Sequence, residues 1–139
     1  MIYMDTSALV KLIVQEPESR ALRRWLADAE DRDHVTSALS RVELMRTALR
    51  SGDRIIIDNA RRALSEDLDL LAITDEVIEK AETIGPDSLR SLDAIHLASA
   101  AQLGDALTAV VAYDRRLIEG CRELDYPVKS PGLVQDVGQ

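Results

Sequence analysis

The sequence is poor in several residue types, and each scarcity excludes a class of protein. A single cysteine, Cys121, stands among 139 residues, which excludes an internal disulfide and a multi-cysteine metal site and favours a reducing compartment. Apolar runs fall short of the roughly 18 residues that a membrane-spanning helix needs. The start of the chain lacks the basic stretch and the cleavage site of a signal peptide. The sequence therefore predicts a globular cytoplasmic protein without a membrane segment.

Basic residues are also in the minority, with 17 Lys and Arg against 25 Asp and Glu and a formal net charge of −8. Such a balance does not attract nucleic acid by charge alone. Residues 41–62 are the exception, because six arginines stand there against three acidic residues. A solvated helix face explains each arginine singly. Arg46 and Arg50, four residues apart and hence on one helix face, are nevertheless candidate contacts to an RNA backbone.

Short apolar runs alternate with amphipathic stretches along residues 1–139. Strands are predicted at 2–4, 34–36, 70–73, 109–113 and 127–128, and helices at 6–13, 18–30, 40–51, 54–66, 75–84, 91–101 and 115–124. This alternation is typical of an α/β fold with a doubly wound, mainly parallel sheet flanked by helices. The length suits one domain that buries roughly two-thirds of the surface of its unfolded chain.

Hydroxyl residues supply the predicted helix starts. Thr6 and Ser7 are expected to cap the first helix after the opening strand. For the third helix, Ser37 and Ser40 are alternative caps, and Ser40 with Glu43 matches a capping box.

Four acidic residues stand where strands end or helices begin. Asp5 and Asp114 each follow an apolar strand, whereas Glu43 and Asp93 are placed in the first turns of helices. Each has a structural interpretation as a cap, as part of a capping box or as a partner of the helix dipole. In a doubly wound sheet, however, strand C-termini and helix N-termini lie at the same edge, so the four carboxylates can converge in one crevice.

Converging carboxylates need protons or a cation. At about 4 Å and an effective dielectric near 20, each like-charged pair costs on the order of 4 kcal/mol. A set of oxygen donors suits a hard ion, Mg²⁺ or Mn²⁺. Such an ion activates water and stabilises charge on a phosphate, which predicts metal-assisted phosphodiester hydrolysis. His96, one turn beyond Asp93, is interpreted as a structural histidine because it lacks neighbouring ligand spacing.

The segments around these acids resemble the motifs of a known family. They read IYMDTSALVKL, SRVELMRTALR, LRSLDAIHLASA and VVAYDRRL, in this order along nearly the whole chain. They are similar to the successive acidic motifs of PIN-domain ribonucleases, and specifically of the VapC toxins of bacterial type II toxin–antitoxin pairs. One position departs from the pattern, since Ala112 stands two residues before Asp114 where the family often has Thr or Ser.

The resemblance implies a single PIN domain that acts as a Mg²⁺-dependent endoribonuclease and leaves 5′-phosphate and 3′-hydroxyl ends. Asp5 and Asp93 would be direct metal ligands. Glu43 and Asp114 would bind through water, complete a second metal position or orient the nucleophile. The resemblance further implies a homodimer and a small VapB-like antitoxin, which would place an arginine in the acidic site.

Two other classes of protein fit parts of the pattern. A receiver-type signalling domain is also acidic, doubly wound and Mg²⁺-binding, but it expects paired acids after the first strand and a late lysine. Here Met4 precedes Asp5, the middle acid Glu43 is in a helix, and Lys129 lacks the expected context. A dinucleotide-binding module fits less well, because no G-x-G-x-x-G follows the first strand.

Overall fold

The computed structural model describes residues 1–134, and its centre is a parallel sheet. Five strands are present within this range: β1 Ile2–Met4, β2 His34–Ser37, β3 Asp69–Leu71, β4 Ala109–Val111 and β5 Val128–Lys129. Their order across the sheet is β3-β2-β1-β4-β5, and every pair is parallel. The predicted doubly wound α/β fold is confirmed.

Helices connect the strands and cover both faces of the sheet. They are α1 Thr6–Ile13, α2 Ser19–Asp28, α3 Ala38–Ser51, α4 Arg54–Arg62, α5 Asp75–Ala81, α6 Ser91–Ala101 and α7 Arg115–Glu123. A π-helical turn, Ala63–Asp67, extends α4, and a 3₁₀ turn, Gly104–Ala106, precedes β4. None of the helices in the described part of the chain is long and apolar enough to cross a membrane.

Strand β1 is buried on both of its faces, which explains its unbroken apolar sequence. Ile2 and Met4 pack into a core that includes Leu44 of α3. Tyr3 points to the opposite face, into a second core that includes Leu97 of α6. The strand therefore runs through the middle of the domain and carries the next residue, Asp5, to its C-terminal edge.

The chain changes direction across the sheet at β1 and β4. From β1 it passes to β2 and β3 on one side, and it later returns to β4 and β5 on the other. Met4 pairs with Val111, so the two strands end side by side. The loops that leave such a pair run to opposite sides and open a crevice at the carboxyl edge of the sheet.

The predicted start of α1 at residue 6 is confirmed, whereas its expected hydroxyl cap and the predicted start of α3 at residue 40 are wrong. The cap of α1 is Asp5, whose side chain accepts a hydrogen bond from the backbone N–H of Ala8, so Thr6 and Ser7 already lie inside the helix. Helix α3 begins at Ala38 and is capped by Ser37, one of the two alternatives. The capping box of Ser40 and Glu43 is therefore not formed, because both residues lie beyond the cap and Glu43 is in the second turn rather than the first.

Candidate active site

Asp5 is the most buried acid of the site, with only 3% of its surface exposed. Its Oδ1 accepts hydrogen bonds from the Ala8 amide at 2.9 Å and from the Ser7 hydroxyl at 2.7 Å. Burial raises the pKa of Asp5 to about 6, and the negative charge of Asp114 adds to this effect, although His96 and the two hydrogen bonds oppose it. Its carboxylate is thus held in place at a position where a cation would stabilise its charge.

Glu43 projects from α3 toward the same edge of the sheet and is half-buried. Its Oε1 accepts a hydrogen bond from Thr6 Oγ1 at 2.6 Å and lies 2.9 Å from His96 Nε2. Burial alone would raise the pKa of Glu43, but the hydrogen bonds with His96 and Thr6 outweigh burial and lower it. The Glu43 carboxylate is therefore stabilised in its charged form.

His96 joins the site from α6, which the interpretation as a structural histidine did not anticipate. The ring is buried, with 4% of the residue exposed. Its Nδ1 lies 2.7 Å from the hydroxyl of Tyr3, and its Nε2 faces Glu43. The sequence does contain one indication that His96 belongs to the site. His96 follows Asp93 by three residues, so the two side chains share a helix face.

Asp93 and Asp114 complete the acidic group. Asp93 lies in the first turn of α6, and burial followed by the charges of Asp114 and Glu43 raises its pKa. Asp114 is exposed and caps α7, where its Oδ1 accepts hydrogen bonds from the amides of Arg116 at 3.0 Å and Leu117 at 3.2 Å. The structure thus brings all four predicted acids to one edge of the sheet, where their charges influence one another.

A line of buried hydroxyls supports the inner side of this group. Thr6 Oγ1 lies 3.1 Å from Ser40 Oγ, and Ser40 Oγ lies 2.7 Å from Thr36 Oγ1. Thr36 also contacts the carbonyl oxygen of Met4, at the end of β1. These contacts join β1, β2 and α3 directly behind Glu43.

Arg46 and Arg50 are exposed on α3. They follow Glu43 by three and seven residues, which places all three side chains on one face of the helix. The Nη2 atom of Arg50 donates to Thr47 Oγ1 at 3.2 Å. The two predicted RNA-contacting arginines therefore extend in a line away from the acidic group.

The chemistry of the four acids suits a hard divalent cation. Oxygen is the donor atom of all four acids. Burial first, and neighbouring carboxylates second, raise the pKa values of Asp5 and Asp93, and a bound cation would stabilise both groups in their charged form. Within residues 1–134, no three His, Cys, Asp or Glu side chains are arranged closely enough to hold a metal ion without moving.

Sequence comparison links the whole chain to one family. A family model described as PIN domain matches residues 2–122. A protein of Mycobacterium tuberculosis named Ribonuclease VapC47 is 54% identical over 137 residues, which cover 97% of this chain and 100% of that protein. A second protein of the same species, named Ribonuclease VapC46, is 45% identical over 130 residues, which cover 94% of this chain and 97% of that protein.

Solved structures share the fold at lower sequence identity. A toxin–antitoxin complex from Klebsiella pneumoniae superposes with a TM-score of 0.69 at 20% identity and covers 94% of this chain and 98% of its own. The FitAcB structure from Neisseria gonorrhoeae also gives a TM-score of 0.69, at 18% identity, with the same coverage. These comparisons give no support to the receiver-domain alternative.

Proposed function

The chain belongs to the PIN-domain family and, within it, to the VapC ribonucleases, and on this premise we propose that it is a Mg²⁺- or Mn²⁺-dependent endoribonuclease and the toxin of a toxin–antitoxin pair. The observation that carries the proposal is the convergence of Asp5, Glu43, Asp93 and Asp114 at the switch point of the sheet. Their carboxylates influence one another's pKa values there, as expected of a site built to hold a cation.

Asp5 and Asp93 are the residues that would hold the metal directly. They are the two acids whose pKa values are raised, so a bound cation would relieve the most unfavourable charge at these positions. Glu43 and Asp114 would act through metal-bound water or at a second metal position. When bound, the ion supplies an activated water and stabilisation of the charge on the scissile phosphate.

The protein's own residues fix the geometry of these acids. Ser7 and the Ala8 amide hold the Asp5 carboxylate, while Thr6 and His96 hold that of Glu43. Preorganised groups of this kind stabilise a transition state without rearrangement during the reaction. No histidine or serine nucleophile is required, because water is the attacking group.

The substrate we propose is an unpaired RNA segment that lies across the acidic crevice and along α3. Arg46 and Arg50 would contact backbone phosphates on one side of the scissile bond, because they continue from Glu43 along one face of the helix. An unpaired segment suits such a site because bases in a loop are unstacked and can be splayed apart for recognition.

The partner we propose is a small VapB-like antitoxin that inserts an arginine among the carboxylates. A planar guanidinium can bridge two carboxylates and replace the charge of the metal without providing an activated water. The family resemblance also leads us to propose a homodimer in the cytoplasm.

Cleavage of RNA by the purified protein tests this function. Total RNA is incubated with the protein in Mg²⁺, in Mn²⁺ and in chelator, and new 5′-phosphate ends are mapped by sequencing. We expect discrete new ends in either metal and none in chelator. Cleavage that persists in chelator would contradict the metal-dependent mechanism, and a stable acyl phosphate after incubation with a small phosphodonor would favour a receiver domain instead.

A further inference from the structure

A buried hydrogen-bonded chain of three residues leads from the core of the domain to the acidic group. The hydroxyl of Tyr3, on β1, lies 2.7 Å from Nδ1 of His96, and Nε2 of His96 lies 2.9 Å from Oε1 of Glu43. Tyr3 is fully buried and His96 is 4% exposed. Both ring nitrogens of the histidine thus have a partner, which fixes the orientation of the ring.

The chemistry of the partners also fixes which nitrogen carries the proton. An ionised glutamate only accepts hydrogen bonds, so the Nε2 atom of His96 must donate to Glu43. In a neutral imidazole the Nδ1 atom then has a free lone pair that can accept the hydroxyl proton of Tyr3. Glu43 therefore fixes the tautomer of His96, and the Tyr3 hydroxyl satisfies the remaining ring nitrogen and holds the ring in place.

The two oxygens of the Glu43 carboxylate differ in their hydrogen bonds. The hydrogen bonds from Thr6 and His96 both end on Oε1. Two donors from different elements on one oxygen fix the rotation of the carboxylate about its last side-chain bond. Within the described residues, neither Thr6 nor His96 donates a hydrogen bond to Oε2, so this oxygen is available to contact the reacting groups.

We propose that His96 and Tyr3 are positioning residues for Glu43, which hold Oε1 so that Oε2 is presented to the reacting groups. The inference rests on the proposed nuclease function and deepens it. Hydrogen-bond partners that orient the ligands of a metal typically contribute about 10- to 100-fold to activity or metal affinity. His96 and Tyr3 would exert an effect of this size without touching the substrate.

Substitutions of the two residues separate positioning from a merely structural role. The variant His96→Leu removes the donor to Glu43 and also leaves the buried Tyr3 hydroxyl without its partner, so we expect a lower melting temperature together with a roughly 10- to 100-fold loss of kcat. The double variant Tyr3→Phe with His96→Leu removes both polar groups and should regain melting temperature but not kcat. Recovery of kcat together with melting temperature would overturn the inference.

A conservative variant and matched controls sharpen this comparison. His96→Gln keeps an N–H donor near Glu43 and should retain more of kcat than His96→Leu at a similar KM. His34→Gln and Tyr126→Phe change the same residue types away from the acidic group and should cleave RNA at the wild-type rate. If His96→Gln were as impaired as His96→Leu, donation to Glu43 would not be the role of His96.

The tautomer is measured without any cleavage assay. Long-range ¹H–¹⁵N NMR correlations of metal-free protein distinguish an Nε2–H ring from an Nδ1–H ring. We expect Nε2–H for His96 in the wild type and also in Tyr3→Phe, because Glu43 remains its acceptor, with the His34 signals unchanged. An Nδ1–H ring in the wild type would overturn the inference even if the protein cleaves RNA, whereas an Nε2–H ring in a protein without nuclease activity would refute the proposed function alone.

Discussion

The backbone amide of Tyr113 donates a hydrogen bond to the hydroxyl oxygen of Ser7 at 2.9 Å, across 106 residues of sequence. The same hydroxyl donates to the carboxylate of Asp5. Tyr113 directly precedes Asp114, so this contact ties the segment after β4 to the acid after β1. The relative position of the two acids is thus set by a hydrogen bond as well as by the pairing of their strands, which limits how far the metal-free site can spread under its own repulsion.

The raised pKa of Asp5 predicts a pH dependence of stability in the metal-free protein. The pKa of Asp5 is about 6 in the folded state against 3.8 for a free aspartate side chain, so between these values the folded state binds more protons than the unfolded state. The free energy of unfolding therefore falls as pH rises from about 4 to about 6, by about 3 kcal/mol at most. In chelator, Asp5→Asn should lack this part of the slope, while Asp28→Asn, which changes an exposed aspartate of α2, should retain it. Equal slopes in wild type and Asp5→Asn would show that Asp5 titrates normally.

Mg²⁺ should stabilise the wild-type protein more than a variant that lacks a metal ligand. An ion that binds only the folded state raises the free energy of unfolding by about 2.7 kcal/mol at a concentration 100 times its Kd. Melting temperatures measured in a Mg²⁺ series should rise for the wild type and for Asp28→Asn, and much less for Asp93→Asn. The same shift in all three proteins would exclude Asp93 as a direct ligand.

The arginine pair on α3 should contribute to RNA affinity and to its salt dependence. Two phosphate contacts to a single strand account for about 1.4 in the slope of log affinity against log salt concentration. The variant Arg46→Ala with Arg50→Ala should lose about this much slope and bind RNA more weakly, yet keep the wild-type response to Mg²⁺. The matched control is Arg20→Ala with Arg24→Ala, which removes two exposed arginines spaced four apart on α2. Loss of the same slope in both pairs would assign the effect to net charge alone.

Inhibition by the partner should compete with the metal. If an arginine of the antitoxin bridges carboxylates of the acidic group, calorimetric affinity for the product of the neighbouring gene should fall as Mg²⁺ rises. Replacing that arginine with lysine should not restore inhibition, because an ammonium group cannot form two parallel hydrogen bonds in one plane. Affinity that is independent of Mg²⁺, or inhibition that survives loss of every arginine in the partner, would refute this mode of inhibition.

The fold could be predicted from sequence because its signals are local. Strand β1 reads as a short apolar run that ends at Asp5, and the amphipathic stretches between strands have the spacing of helices. The same local pattern identified Asp5 and Asp114 at strand ends. Their roles in metal binding and catalysis stay predictions, but their placement at one edge of the sheet follows from the parallel topology.

The contacts within the site could not be predicted in the same way. Thr6 and Glu43 are 37 residues apart, and Glu43 and His96 are 53 apart. No periodic pattern in the sequence therefore indicates that these side chains are in contact. The wrong cap of α1 has a physical reason as well. A carboxylate is as good a helix cap as a hydroxyl, so the sequence alone could not decide between Asp5 and the hydroxyls of Thr6 and Ser7.

Cleavage of RNA by the Asp5→Asn and Asp93→Asn variants decides whether these two acids act in metal-dependent catalysis. Each substitution keeps the size of the side chain and removes the charge of one proposed metal ligand, and Asp28→Asn serves as the matched control. Initial rates are measured on one RNA substrate in Mg²⁺, with the folded fraction of each protein checked by its melting temperature in chelator. We expect wild-type rates for Asp28→Asn and no detectable cleavage by either site variant, although both remain folded. Wild-type cleavage by Asp5→Asn or Asp93→Asn in Mg²⁺ would contradict it.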